Sequence, residues 1–209
     1  MNNIFSFSKK PIYLKSFIEW KHIYFLYFVL LLIVLNILGG GISFIIKESF
    51  NISHKMVSGN DVFRTIKMLL FAPVSEELIF RLILKENKKY FYVSGIMCIF
   101  LIIISIYTQY TAFLYSSSIL IIIFLLYITQ YKLKKNIYSI KNYKYLYWGS
   151  IIIFSLAHGV NYIFPNRLTI LLTPLIVLPQ FLGGIVLSYL RVKFGIKYSI
   201  IFHFFVNFL

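Results

Sequence analysis

Acidic residues are scarce in this chain: 6 of its 209 residues are Asp or Glu, against 21 Lys and Arg, and charged residues of both signs make up 13%. A soluble domain of this size carries about 25% charged residues, so a solvated globular fold is excluded. Cysteine occurs once, as Cys98. A single cysteine rules out an intrachain disulfide and a Cys-rich metal site; placed in an apolar run, it reads as a small buried hydrophobe. No cleavable leader is expected either, because the first residues are polar and basic and the apolar run after them is too long for a signal-peptide core and has no small-residue cleavage site. The N-terminus is therefore expected to remain as an arm. What is present in excess is apolar surface: 60% hydrophobic and 20% aromatic residues, with a mean hydropathy of +0.83.

Runs near the length needed to cross a bilayer fall at about 23–46, 62–84, 90–107, 112–129, 145–164, 168–190 and 196–209. The reading is an all-α, polytopic transmembrane helix bundle of about seven spans. Breaks lie where charge or turn residues would put them, as in "KENKK", "FPNR" and "RVKFG". Three regions follow: a basic cytoplasmic arm over 1–22, a first transmembrane helix and outer loop over 23–61, and a core over 62–209.

The net charge of +15 could suggest a nucleic-acid partner, but in a membrane protein it reads more simply as a topology signal. With the N-terminus in the cytoplasm, 15 of the Lys and Arg residues fall on the inner side, 5 on the outer side, and Arg81 alone within a span. The expected partners are the lipid bilayer and a peptide or small membrane-protein substrate, not nucleic acid; the oligomeric state is left open. Four of the acids lie in or beside loops, which leaves Glu76 and Glu77 at membrane depth, in "PVSEELIFR". A charge near the centre of a span costs about 2.5–3.5 kcal/mol, so ionisable groups there are functional candidates.

At about 100° per residue, Glu77 and Arg81 share a helix face and can form an ion pair, while Glu76 points elsewhere. Pro73 and Ser75 suit a helix start just before the pair, where the helix dipole favours a carboxylate. The plainer alternative is a charged helix tip at the membrane interface. Of four histidines, His22 and His54 sit at an edge and in a loop and read as interfacial or solvated. His158 and His203 lie inside spans five and seven. Asn207 is four residues beyond His203, on the same face.

A carboxylate, an imidazole and a His/Asn donor pair are what water-driven attack on an amide requires. A carboxylate taken out of water accepts a proton near neutral pH, and donors aimed at the developing oxyanion lower the barrier. No activated serine, Cys/His pair or aspartate pair competes. A metal reading stays open, since Glu76, His158 and His203 are also plausible zinc ligands; H-E-x-x-H is absent, and no resident metal or other cofactor is expected.

Glu76-Glu77-x-x-x-Arg81, then Phe154-x-x-x-His158, then His203-x-x-x-Asn207, in this order and each inside an apolar span, resembles the CPBP family of intramembrane glutamic endopeptidases, the CaaX-protease and bacteriocin-processing enzymes also called Abi. The likeness runs from about Lys67 to Asn207 and includes "LLFAPVSEELIFRLIL" with its upstream proline. The resemblance implies that Glu76 is the catalytic base acting with His158, that Glu77 and Arg81 organise the site, and that His203 and Asn207 form the oxyanion hole. Phe154 would pack within the motif, and Leu82 stands where the family often has glycine. It implies a multi-pass cell-membrane endopeptidase, of bacterial type by composition, acting on bacteriocin leaders, pheromones or immunity-related peptides. The alternative is a non-catalytic membrane scaffold that regulates a sensor kinase or transporter by contact. A proton-coupled transporter would need inverted repeats, and none is found.

Overall fold

The computed structural model describes residues 4–54, 70–107 and 140–208. Helix dominates: α1 (Ile4–Lys9), α2 (Ile23–Ser49), α3 (Ala72–Phe80), α4 (Lys88–Tyr107), α5 (Ile140–Ala157), α6 (Thr173–Ile176), α7 (Leu178–Lys193) and α8 (Ile196–Phe208). The expected span over 112–129 and the first part of the span over 62–84 lie outside the described residues. Among the described residues, the β structure is an antiparallel pair of two-residue strands, β1 (Ser53–His54) and β2 (Tyr162–Ile163), with His54 opposite Tyr162. The His54 ring meets the Tyr162 ring edge-on at 5.0 Å, and burial, with Lys47 nearby, holds the His54 pKa below the usual imidazole value.

Helix α7 is the hub, with α2, α5 and α8 packed around it. Small residues allow this approach. A Cβ on Gly184 would lie 3.3 Å from Phe154 Cδ1 and 3.5 Å from Arg81 Nη2, so glycine lets α7 close on α5 and on the α3 motif together. Gly39 of α2 meets the backbone of Pro179 in the same way, a Cβ there lying 3.0 Å from the proline nitrogen. Phe28, Leu32, Tyr143, Tyr147, Ile151, Leu187 and Phe202 fill the core between these helices. The opposite face of α2 exposes Ile23, Leu26, Leu30, Val34 and Ile37. That helix, and the stretch Leu168–Lys193, are each long and apolar enough to cross a membrane.

Three of the expected spans are interrupted rather than continuous. The stretch from Leu168 begins as a 3₁₀ turn, becomes α6, breaks at Val177 and resumes as α7. Pro174 and Pro179 stand at these starts, and each lacks the N–H that a continuous helix needs. Helix α5 stops at Ala157, short of the 164 expected, and tightens into a 3₁₀ turn over His158–Asn161 before β2. Gly159 fits that turn against α6, where a Cβ would meet Thr173 Cγ2 at 2.6 Å. Helix α3 ends at Phe80 and passes into a 3₁₀ turn, Leu82–Leu84, which puts Arg81 at the break.

A helix ending inside a packed interior leaves carbonyls without partners. Side chains from three neighbouring helices supply them here. Ser94 of α4 donates to the Ile79 carbonyl (2.8 Å), Ser150 of α5 to Phe80 (2.7 Å), and Tyr143 to Leu84 (3.0 Å). Arg191 of α7, itself buried, donates through Nε to the Arg81 carbonyl at 3.0 Å and reaches the Leu82 carbonyl at 3.4 Å. Ser150→Ala should therefore lower stability in detergent by about 1–3 kcal/mol, the cost of an orphaned buried carbonyl, as read from thermal unfolding. Ser155→Ala should cost far less, because its hydroxyl bonds Ile151 of its own helix, four residues back (2.7 Å).

The arm before α2 is folded onto the bundle. Phe7 packs edge-on against Tyr147 and Tyr189, Trp148 donates to the Ser8 carbonyl (3.1 Å), and the Ile18 amide donates to Lys193 (2.7 Å). Lys85 donates to the Leu14 carbonyl and lies over the Phe17 ring. Cys98 is buried and unpaired.

Candidate active site

Two adjacent glutamates in the middle of α3 meet opposite edges of the His203 ring and otherwise face different partners. Glu77 is fully buried. Its Oε1 lies 3.6 Å from Arg81 Nε and 2.9 Å from His203 Nδ1, and its Oε2 accepts from the Ser199 hydroxyl. Arg81 is equally buried, and its guanidinium carbon stands 3.7 Å from the centre of the Phe154 ring. Stacking on an aromatic face is a favourable setting for guanidinium. Phe154 also touches both histidines, its ring centre 4.8 Å from that of His158 and 5.7 Å from that of His203. One aromatic side chain thus spaces the arginine and both imidazoles.

Glu76 keeps 26% of its side chain accessible and turns towards the histidines: its Oε2 is 3.6 Å from His158 Nε2 and 3.5 Å from His203 Nε2. That oxygen is itself buried and has no hydrogen-bond partner. The protons on the rings follow from what lies behind them. His158 Nδ1 is 2.8 Å from the Phe154 carbonyl, which can only accept, so Nδ1 carries the hydrogen. A neutral His158 then presents a bare Nε2 to Glu76. His203 Nδ1 likewise donates to Glu77, held as an acceptor by Arg81, and a second proton on Nε2 would make His203 a cation between two carboxylates. The row Arg81, Glu77, His203, Glu76 then alternates in sign.

Glu76 Oε2 and His158 Nε2 have no hydrogen between them and cannot bond each other, but at 3.6 Å they are close enough for one water beside them to donate to both. His158, His203 and Asn207 line one cavity of about 130 Å³ between α2, α5, α7 and α8. Among the described residues, no group of three or more His, Cys, Asp or Glu side chains has the arrangement to hold a metal ion.

The structure therefore brings the six site residues expected from the sequence to one place, with Arg81, His158 and His203 around the two carboxylates and Asn207 along the adjoining cavity. Residues 58–209 match the family model described as type II CAAX prenyl endopeptidase Rce1-like. The chain belongs to the Rce1-like family. Membership implies a peptidase acting on a peptide or protein substrate at the membrane. No curated protein and no solved structure matches the chain.

Several residues around this Rce1-like site escape a sequence reading. Ser199 precedes His203 by four residues, so helical spacing alone could have placed it beside Glu77. Arg191 counts as a loop cation in a topology argument, yet it is buried and clamps the end of α3. Asn36 and Gln180 line the cavity from α2 and α7, and nothing in their neighbourhoods marks them.

Proposed function

We propose that this protein is a multi-pass intramembrane endopeptidase in which Glu76 activates water for attack on a peptide bond of a membrane-associated peptide or small protein, such as a bacteriocin leader, pheromone or immunity peptide. The observation that carries the reading is the unpartnered Glu76 Oε2, 3.6 Å from His158 Nε2 and 3.5 Å from His203 Nε2, beside the cavity that the two histidines line. Glu76 takes one proton of that water, and His158, its tautomer set by the Phe154 carbonyl, orients the molecule. The oxygen bonds to the carbonyl carbon and the carbonyl π-electrons move to its oxygen. His203, as imidazolium, and the Asn207 amide donate to that oxyanion, and Glu77 behind His203 stabilises the imidazolium. The tetrahedral intermediate then collapses: the C–N bond breaks, the nitrogen takes the proton from Glu76, and an acid and an amine are released. Ser199 and Arg81 hold Glu77 in place.

The test compares, by mass spectrometry, the membrane-bound and secreted peptides of cells carrying wild type, a deletion, or Glu76→Gln at matched expression. A processed peptide lost in both the deletion and Glu76→Gln is the expected result and identifies a substrate. If Glu76→Gln fully restores what the deletion removes, the peptidase reading fails and the motif residues hold together a contact-acting scaffold.

A further inference from the structure

The cavity beside the histidines has polar groups that the proposed reaction does not use. Asn36 lies in the middle of α2, with apolar residues on either side of it, and Gln180 in the first turn of α7; both line the cavity with His158, His203 and Asn207. Burying an amide costs free energy unless its hydrogen-bonding capacity is met. Asn36 Nδ2 bonds the Leu32 carbonyl of its own helix at 3.2 Å, which uses one of two amide protons. One end of the Gln180 amide bonds the Tyr162 hydroxyl, while the other, Oε1, is buried without a partner. Whichever way that amide is turned, one end meets Tyr162 and the other meets no group of the protein. The remaining walls are apolar or small, with Phe154, Leu187, Val206 and Gly183.

We infer that Asn36 and Gln180 form a substrate-binding subsite that pairs with the peptide backbone next to the scissile bond and so sets which bond is cut; this rests on the peptidase reading above. A residue inside an α-helix has its N–H and C=O bonded within the helix, so amide side chains can pair only with a locally extended segment. The substrate class is therefore a peptide extended at the cut, near a chain end or a helix break. The cavity, walled in part by Phe154, Leu187 and Val206, suits a peptide unit that carries an apolar side chain.

The experiment uses the full chain in detergent micelles and two fluorescein-labelled probes: a farnesylated peptide with a C-terminal CaaX sequence, and its unprenylated counterpart. Affinity is read by anisotropy in the Glu76→Gln background, so that binding is separated from cleavage. Asn36→Leu and Gln180→Met should each weaken binding about tenfold, the worth of one hydrogen bond. Tyr162→Phe, which removes the other bond of Gln180, should leave affinity within about twofold. N-methylation of one backbone amide of the probe should weaken binding to the Glu76→Gln parent but not weaken it further in Gln180→Met. In the otherwise wild-type enzyme, the same two substitutions should raise KM more than they lower kcat and spread the cut over neighbouring bonds. Unchanged affinity in the double variant, lowered thermal stability without an affinity change, or no binding of either probe would each overturn the subsite. Binding that depends on both amides, with no cleavage by the wild type, would uphold the subsite and sink the peptidase reading instead.

Discussion

Glu76→Gln in the purified protein should reduce peptide hydrolysis by about 10²- to 10⁴-fold, the worth of a positioned general base, and leave thermal stability unchanged or slightly raised. Glutamine keeps the shape of the side chain and lacks only the charge that takes the proton. Stability should hold because the Oε2 of Glu76 makes no hydrogen bond, the side chain is partly accessible, and His203 keeps Glu77 on its other nitrogen. It also removes a carboxylate from a site where Glu77 lies one residue away. His158→Ala should cost a smaller factor in kcat, since the water would keep its base and lose its second acceptor. A chelator should leave wild-type activity unchanged if water is activated by the carboxylate alone. Activity in Glu76→Gln within threefold of wild type would sink the assignment of the base, and abolition of activity by a chelator would move the chemistry to a metal held by Glu76, His158 and His203.

The second large effect concerns stability. Glu77→Gln and Arg81→Met should each destabilise the protein by about 3–5 kcal/mol, the cost of leaving one member of a buried pair charged and unpaired. Both side chains are fully buried, and Arg81 has little else to satisfy it: its Nη1 and Nη2 have no hydrogen-bond partner, leaving the carboxylate at 3.6 Å and the Phe154 ring. The double variant Glu77→Gln/Arg81→Met should recover much of that loss, because replacing both members by uncharged groups removes the desolvation cost along with the attraction. It should nevertheless remain a poor catalyst, since an imidazolium at His203 would have lost the carboxylate behind its Nδ1. Thermal unfolding of the four proteins in one detergent, with hydrolysis measured in parallel, separates the two roles. If the single variants lose no stability, the pair is not buried as described; if the double variant is fully active, Glu77 does not support His203.

How much of this site was legible in the sequence depends on the range of the interaction. The Glu77–Arg81 pair, the divergence of Glu76, and the common face of His203 and Asn207 all follow from a separation of four residues or of one on a helix, and the structure shows those relations directly. The same rule would have found Ser199. The meeting of α3, α5 and α8 could not be computed this way: estimates of depth within a membrane spread over about a helical turn or more, whereas the three side chains lie within 3.6 Å. That the helices end early was also hidden. Leu168–Lys193 reads as one apolar run, whereas the structure divides it into a 3₁₀ turn, α6 and α7, with Pro174 and Pro179 at the starts of the two helices.

The sequence by itself determined the helical class and the apolar surface, because both depend on composition and local period, and it singled out the charged motif because few charges were present to choose from. Tertiary structure alone decided which carbonyls Ser94, Ser150 and Arg191 satisfy, which ring separates Arg81 from the histidines, and which amides reach the cavity. Those contacts join residues far apart in the chain, and their partners are set by how closely α7 can approach its neighbours at Gly184 and Gly39, a distance no helical period encodes.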